Sequence, residues 1–273
     1  SRPRLESLAR RIVSTATWDD LILPEPQRRI LREVAIHVRQ RAKVYERWGF
    51  ASRYGRGLGI CLLATGPSGT GKTMATQVIT AQLTRDLCRV NVAQLVSKWV
   101  GETAKNTEQV IRIAAENDAV LFFDEADALF ARRSAEIRDA QDRFANTDTA
   151  FLLQAIESYP GIAILATNLK SNIDSAFLRR IRYIVDIPLP DARLQRKLWT
   201  KLIMALVDEQ RSQSLAEAIE LLSNTPEVTG AQIKFAVLAA LFAARAEGSS
   251  LNARHLLIGL DRELAKEGRA VGP

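Results

Sequence analysis

Gly59-Ile-Cys-Leu-Leu-Ala64 is a short uncharged run that leads through Thr65 into Gly66-Pro-Ser-Gly-Thr-Gly-Lys72-Thr73, and helix-forming residues follow from Lys72 to Thr84. A continuous apolar run of this length reads as a strand covered on both faces. The eight residues after it fit GxxxxGK[ST], and the strand before and helix after are the context that turns the pattern into a site. Glycine is needed there because backbone N–H groups must close around phosphate oxygens with no side chain in the way, at the positive end of a helix. Gly66, Pro67, Ser68, Gly69, Thr70 and Gly71 form the candidate cradle, and Met74 is grouped with them just beyond it. Lys72 is expected to reach the β- and γ-phosphates of a nucleotide, and Thr73 to place its hydroxyl on Mg²⁺.

Such a site also needs a carboxylate at the end of a neighbouring strand, for the magnesium shell, and a group that orients the attacking water. Val120-Leu-Phe-Phe-Asp124-Glu125 supplies both. Asp124 follows four apolar strand residues and is the expected magnesium partner; Glu125, next in line, is the expected general base. Asp124-Glu125-Ala126-Asp127 also spells the tetrapeptide of DEAD-box RNA helicases. Those enzymes need two RecA-like lobes, whereas only one α/β lobe is legible in this chain.

Working outward, strand-like runs alternate with helix-like ones: strands at Gly59–Ala64, Leu87–Val92, Val120–Phe123, Ile162–Ala166 and Tyr183–Ile187, helices at Pro26–Trp48, Lys72–Thr84, Glu102–Glu116 and Gln141–Ser158. This alternation predicts a five-stranded parallel sheet with crossover helices. Leu87–Val92, broken by Arg89 and Asn91, alternates like a strand nearer an edge. After Ile187-Pro-Leu-Pro-Asp191 only helical periodicity remains, so the two prolines read as a hinge and residues 191–273 as a small all-helical domain.

The composition, 47% hydrophobic and 25% charged, is that of an ordinary globular protein and excludes disorder, collagen and disulfide scaffolds. The net charge of +7 is confined to the start of the chain: residues 1–58 carry 13 Lys/Arg against 6 Asp/Glu, and residues 59–273 carry 25 of each. A neutral main body argues against a nucleic-acid substrate. The basic residues Arg2, Arg4, Arg10, Arg11, Arg28, Arg29, Arg32, Arg39, Arg41 and Lys43 read as a solvated helix face or a docking surface. Cys61 and Cys88 lack a CxxC partner and lie in strand-like runs, as expected of buried thiols in a reduced, cytoplasmic protein. The longest apolar stretch, Phe235–Ala244, is half of a membrane span, so no membrane association is expected. The first residue is Ser, so the chain is read as a possible piece of something longer. His37 and His255 stand apart from any metal-ligand spacing and are expected to be surface or half-buried residues.

With both nucleotide motifs, Ile162-Ala-Ile-Leu-Ala-Thr-Asn168 on a later strand and the paired Arg179 and Arg180 beyond it, the chain resembles an AAA ATPase from Trp18 to its end. The resemblance implies a P-loop NTPase three-layer sandwich with a helical lid: residues 1–17 as linker, 18–190 as the large α/β subdomain and 191–273 as the lid. It implies ATP or ADP with Mg²⁺, a homo-oligomeric ring, six subunits by analogy, and a protein substrate. Asn168 is similar in place to sensor 1, which bonds the attacking water or the γ-phosphate. Arg180, with Arg179 or Arg182 as alternatives, resembles the finger that reaches a neighbouring subunit's site, although the spacing Arg179-Arg180-Ile-Arg182 is shorter than the family's commonest pattern. Trp18-Asp-Asp-Leu21, hence Asp20 and Leu21, resembles the stretch lying against adenine, and Thr229-Gly230-Ala231 the sensor 2 region of the lid.

Val96-Ser-Lys98-Trp99-Val100-Gly101-Glu102 looks like pore loop 1 of AAA unfoldases, where an aromatic between a lysine and a small hydrophobe grips an extended peptide; an indole offers rigid apolar surface to any side chain. Residues 131–143, rich in both charges, sit where the family carries pore loop 2. Arg132-Arg-Ser, Asp142–Asn146, Leu152–Ser158 and Ala166–Lys170 are similar in wording to ATPases of bacterial phage-tail-like contractile injection clusters. The expected function is Mg²⁺-dependent ATP hydrolysis coupled to remodelling, unfolding or disassembly of a protein. The alternatives are a nucleotide-gated assembly scaffold with slow hydrolysis and a DNA-remodelling motor.

Overall fold

The computed structural model describes residues 9–53, 59–95, 102–130, 150–168, 173, 175–207 and 213–271. The chain divides into an α/β unit, comprising Ser1–Leu21, Glu25–Gly66 and Lys72–Asp186, and a helical unit, comprising Ile187–Pro273 with the short segments Ile22–Pro24 and Pro67–Gly71.

The α/β unit is built on strands β1 (Ala9–Ile12), β2 (Ile60–Thr65), β3 (Leu87–Val90), β4 (Val120–Phe123), β5 (Ile162–Thr167) and β6 (Tyr183–Asp186). Their order across the sheet is β1-β3-β4-β5-β2-β6. The five expected strands are present and mutually parallel. The sheet has six strands rather than five, because β1 adds antiparallel to β3, pairing Arg10 with Arg89 and Ile12 with Leu87. Every residue of β2, β4 and β5 is buried, as uncharged runs covered on both faces should be.

The crossover helices are α1 (Glu25–Ala42), α2 (Lys72–Gln82), α3 (Glu102–Glu116) and α4 (150–158). On one face, Leu63, Leu121 and Leu165 pack with Val110 and Ala114 of α3 and with Leu152 and Ile156 of α4. Helix α2 lies against β5 and α1 against β6. Helix α1 buries Leu31, Val34 and Ala35, a stripe at i, i+3, i+4 spacing, and gives way to a π-helical turn at Lys43–Arg47.

Much of the N-terminal basic excess is spent inside this unit. Arg28 Nη1 donates to the Leu21 carbonyl at 2.6 Å and Arg39 Nη2 to the Gln82 carbonyl at 3.1 Å, while Arg41 reaches the Pro160 carbonyl. Gln82 ends α2, so the Arg39 guanidinium sits where helix carbonyls lack intrahelical donors, while Arg41 holds the segment after α4. Arg28 and Arg32 also lie over the Trp18 ring, 5.8 and 5.4 Å from its centroid, and Arg11 pairs with Asp86 at 2.7 Å. The solvated-face reading of this stretch therefore holds for only part of it.

The helical unit contains α5 (Ala192–Met204), α6 (Ala216–Ser223), α7 (Gly230–Ala246) and α8 (Ala253–Ala265). Its starts are set by side-chain caps: Asp191 accepts from the Leu194 N–H, and Thr229 and Asn252 form capping boxes with Gln232 and His255. Trp199, Ile219, Leu222, Ile233, Leu256 and Leu260 are central to its core. Helices α7 and α8 meet at Gly259, where an added Cβ would lie 2.3 Å from the Ala236 carbonyl oxygen. His255 is fully buried, not surface or half-buried as expected, with Nε2 at 2.9 Å from Glu247 Oε2.

Candidate nucleotide site

The glycine-rich loop is shared between the two units, Gly66 and Lys72 grouping with the α/β unit and Pro67–Gly71 with the helical one. Gly66, Gly69 and Gly71 all have positive φ, 139°, 77° and 110°, a conformation that L side chains resist. Within the helical unit, the Gly69 carbonyl accepts from the Ala231 N–H at 3.1 Å. A Cβ on Gly69 would stand 2.9 Å from Ala231 Cβ and 3.0 Å from Thr229 Oγ1. The small residues Gly230 and Ala231 thus open α7 against the loop itself. Around Gly71 an added Cβ would meet nothing within 4 Å among the described residues. Thr70 Oγ1 donates to the Pro67 carbonyl at 2.8 Å and steadies the turn.

In the α/β unit, the parallel register carries the carboxyl ends of β2, β4 and β5 to one edge, followed by Gly66, Asp124 and Asn168. Lys72 Nζ donates to the Gly66 carbonyl at 2.6 Å and to Asn168 Oδ1 at 2.7 Å. Burial pulls the Lys72 ammonium below its ordinary range, and the charges of Asp124 and Asp127 act in the opposite sense. Thr73 and Met74 are exposed at the first turn of α2.

Asp124 is half-buried: its Oδ2 pairs with Arg89 Nη2 at 2.7 Å and its Oδ1 accepts from the Glu125 N–H at 3.1 Å. Glu125 is exposed and has φ of 52°, a left-handed conformation that costs a non-glycine residue about 1 kcal/mol or more. The turn that imposes it is fixed on either side, since the Ala126 N–H donates to the Ala166 carbonyl at 2.8 Å. Asp127 Oδ1 accepts from the Asn168 N–H at 3.0 Å and from Thr167 Oγ1. Among the described residues nothing accepts from the Asn168 amide nitrogen, so its N–H groups are available as donors.

Lys72, Asp124, Glu125, Asp127 and Asn168 are thus gathered at one end of the sheet. Asp127 and Arg89 are members of this cluster that sequence reasoning did not assign. Asp127 was visible in the motif only as the helicase tetrapeptide's last letter, and Arg89 only as a break in an apolar run. The donor set fits a magnesium nucleotide. It offers a hydroxyl at Thr73, a carboxylate at Asp124, an ammonium at Lys72 and a glycine loop. No group of three or more His, Cys, Asp or Glu that could hold a metal by itself occurs among the described residues, so phosphate oxygens and water would complete the shell.

The arginines lie elsewhere in the unit. Arg179 and Arg180 are exposed; Arg180 Nη1 pairs with Glu157 Oε1 at 3.1 Å. Arg182 Nη1 donates to His37 Nε2 at 3.0 Å and to Tyr45 Oη at 2.8 Å. Glu157, Arg180 and Arg182 border a cleft of about 460 Å³ that reaches Gly59 and Cys61 at the amino end of β2. Cys61 is buried there and its thiol is pushed up to about 12. Asp20 closes a local turn, its carboxylate accepting from the Thr17 N–H and Oγ1 at 2.8 Å each, and Leu21 is buried. Lys98, Trp99, Val100 and residues 131–143 lie outside the described residues.

Residues 62–189 match the family described as ATPase family associated with various cellular activities (AAA). The chain is similar to Fidgetin-like protein 1 of Drosophila melanogaster, 31% identical over 63% of this chain and 33% of that protein. It is 30% identical to the ATP-dependent zinc metalloprotease FtsH 2 of Sphaerobacter thermophilus over 93% of this chain and 38% of the relative. It is 28% identical to the proteasome-activating nucleotidase of Methanopyrus kandleri over 94% and 58% respectively. The chain therefore spans between a third and three-fifths of the length of these relatives. None of these likenesses bears on contractile injection clusters.

Proposed function

Because residues 62–189 form an AAA-family ATPase domain, we propose that this chain binds ATP with Mg²⁺ and hydrolyses it within a homo-oligomeric ring, of six subunits by family analogy, that remodels, unfolds or disassembles a protein partner. The observation that carries the reading is the strand-end cluster, in which Lys72 is held between the Gly66 carbonyl and Asn168 and feels the charges of Asp124 and Asp127.

Each residue has a separable task. Backbone N–H groups of Gly66–Thr73 and the Lys72 ammonium hold the phosphates, while Thr73 and Asp124 hold the metal. Bound Mg²⁺ supplies charge neutralisation at the phosphate oxygens. Glu125 takes the proton of the attacking water as general base, from a backbone turn that presents its carboxylate to solvent. Asn168 donates its free amide N–H to that water or to the γ-phosphate, and Asp127 fixes its backbone.

Arg180, with Arg179 as the alternative, serves as the finger for a neighbouring subunit. Arg182 is engaged with His37 and Tyr45, which suits a structural role better. Asp20 and Leu21 belong to the adenine side and Gly230 and Ala231 to the lid side of the nucleotide, with residues 1–17, 18–190 and 191–273 as linker, large subdomain and lid. Lys98, Trp99 and Val100 grip the substrate chain. Among the described residues no helix is long and apolar enough to cross a membrane, and the free thiols Cys61 and Cys88 fit a reducing, cytoplasmic setting.

The test is a pair of variants. Lys72→Ala should abolish nucleotide binding, whereas Glu125→Gln should bind ATP and fail to turn it over. Normal turnover by Glu125→Gln would remove the catalytic assignment. A turnover per subunit that does not climb with protein concentration or with a protein partner would favour a slow assembly scaffold. Trp99→Ala should spare basal hydrolysis and lose work on a protein substrate, and stimulation by DNA at low salt would point to nucleic acid instead.

A further inference from the structure

Arg89 is the one cation of strand β3, and the parallel register places it opposite Phe122. Residues alternate between faces along a strand, so Asp124, two residues after Phe122, lies on the same face one step along. The guanidinium meets the Asp124 carboxylate at 2.7 Å, with the arginine 49% exposed and the aspartate 18% exposed. On the other flank of β3, Arg10 of β1 is directly opposite Arg89. Two like charges across a ladder repel, which disfavours any swing of Arg89 toward β1 and favours Asp124.

We propose that Arg89 is a resident counter-ion for Asp124, occupying its carboxylate when magnesium is absent and yielding it when magnesium enters with the nucleotide. The inference rests on the reading of Asp124 as the magnesium partner. A half-buried carboxylate without a cation is costly, and facing a nucleotide it repels the phosphates. Arg89 cancels that charge while remaining exposed enough to move into water at low cost. It thus supports metal-free nucleotide binding and competes with the metal, and both effects reduce the coupling between Mg²⁺ and nucleotide.

Calorimetric titration of ADP into the full chain, in EDTA and in saturating Mg²⁺, tests this without any turnover. For Arg89→Gln the affinity in EDTA should fall while the affinity in Mg²⁺ holds or rises, so that their ratio grows about tenfold over wild type. Arg89→Lys should restore the wild-type ratio. In an Asp124→Asn background, Arg89→Gln should no longer change the affinity in EDTA. A purely structural Arg89 would lower both affinities by the same factor, and an unchanged ratio in Arg89→Gln overturns the proposal. Wild-type chain that binds no ADP even with Mg²⁺ would overturn the nucleotide reading itself, and the proposal with it, a result distinct from an unchanged ratio.

Discussion

At the carboxyl ends of β2, β4 and β5 the charges flanking exposed Glu125 are met by groups of the same unit: Lys72 by Asn168 and the Gly66 carbonyl, Asp124 by Arg89, Asp127 by the Asn168 backbone. Around the amino end of β6 the balance differs. Arg182 is tied to His37 and Tyr45, Arg180 makes a half-open pair with Glu157, and exposed Arg179 has no ion-pair partner among the described residues. The first end holds most of its charged groups in contacts with one another or with nearby polar groups, and it binds a ligand by exchanging those partners. The second carries positive charge outward, which is what a contribution to another subunit's site requires.

The largest effect that could break this contrast is on turnover. Arg180→Ala should lower the rate by about 10³-fold, as loss of a finger does, with ADP affinity kept within about twofold. Mixing inactive Arg180→Ala with inactive Glu125→Gln should recover activity, because one subunit type keeps the base and the other the arginine. A mixture as inactive as its components would show that Arg180 does not act in trans, and repeating it with Arg179→Ala decides between the two arginines.

A second, smaller effect tests how the strand-end cluster is held. Asp127→Ala removes the acceptor for the Asn168 N–H, and turnover should fall about tenfold through misplacement of the amide, with Asp127→Asn recovering part of it. Equal rates in Asp127→Ala and wild type would mean that Asn168 needs no such support, or does not orient the water.

The split between the two ends also explains what could be read from the residues alone. The five parallel strands were legible to within two residues because predominantly apolar runs set between stretches of helix periodicity are local signals. Strand β1 was not, since Ala9-Arg-Arg-Ile12 has two charges and becomes a strand only through pairing with β3. Lys72, Thr73, Asp124 and Glu125 could be picked out because each stands just after a strand or within the glycine loop, and Asn168 through the resemblance to AAA ATPases. The Arg89–Asp124 pair spans 35 residues and depends on register, and the cluster of Arg182 with His37 spans 145, so neither leaves a local trace. His37 looked solitary for that reason.

The least effect belongs to the tied arginine. Arg182 donates to His37 Nε2, so that nitrogen must be the ring's acceptor, and its proton sits on Nδ1, 3.0 Å from the Tyr183 hydroxyl. Protonating Nε2 would set two cations side by side. Accordingly burial first, then Arg182 and Arg41, hold the His37 imidazole below its ordinary 6.5, with the charge of Glu33 acting in the opposite sense. Because the folded ring resists a proton that the unfolded ring accepts, the contribution is fully present above 6.5 and is lost as pH falls through the lowered folded value. Denaturant unfolding of wild type and His37→Gln, from about pH 8 to about pH 5, should therefore show wild type losing stability relative to the variant only on the acid side. Parallel pH profiles would mean that Arg182 releases His37 as readily as Glu157 is expected to release Arg180, and the contrast between a tied and an available arginine would disappear.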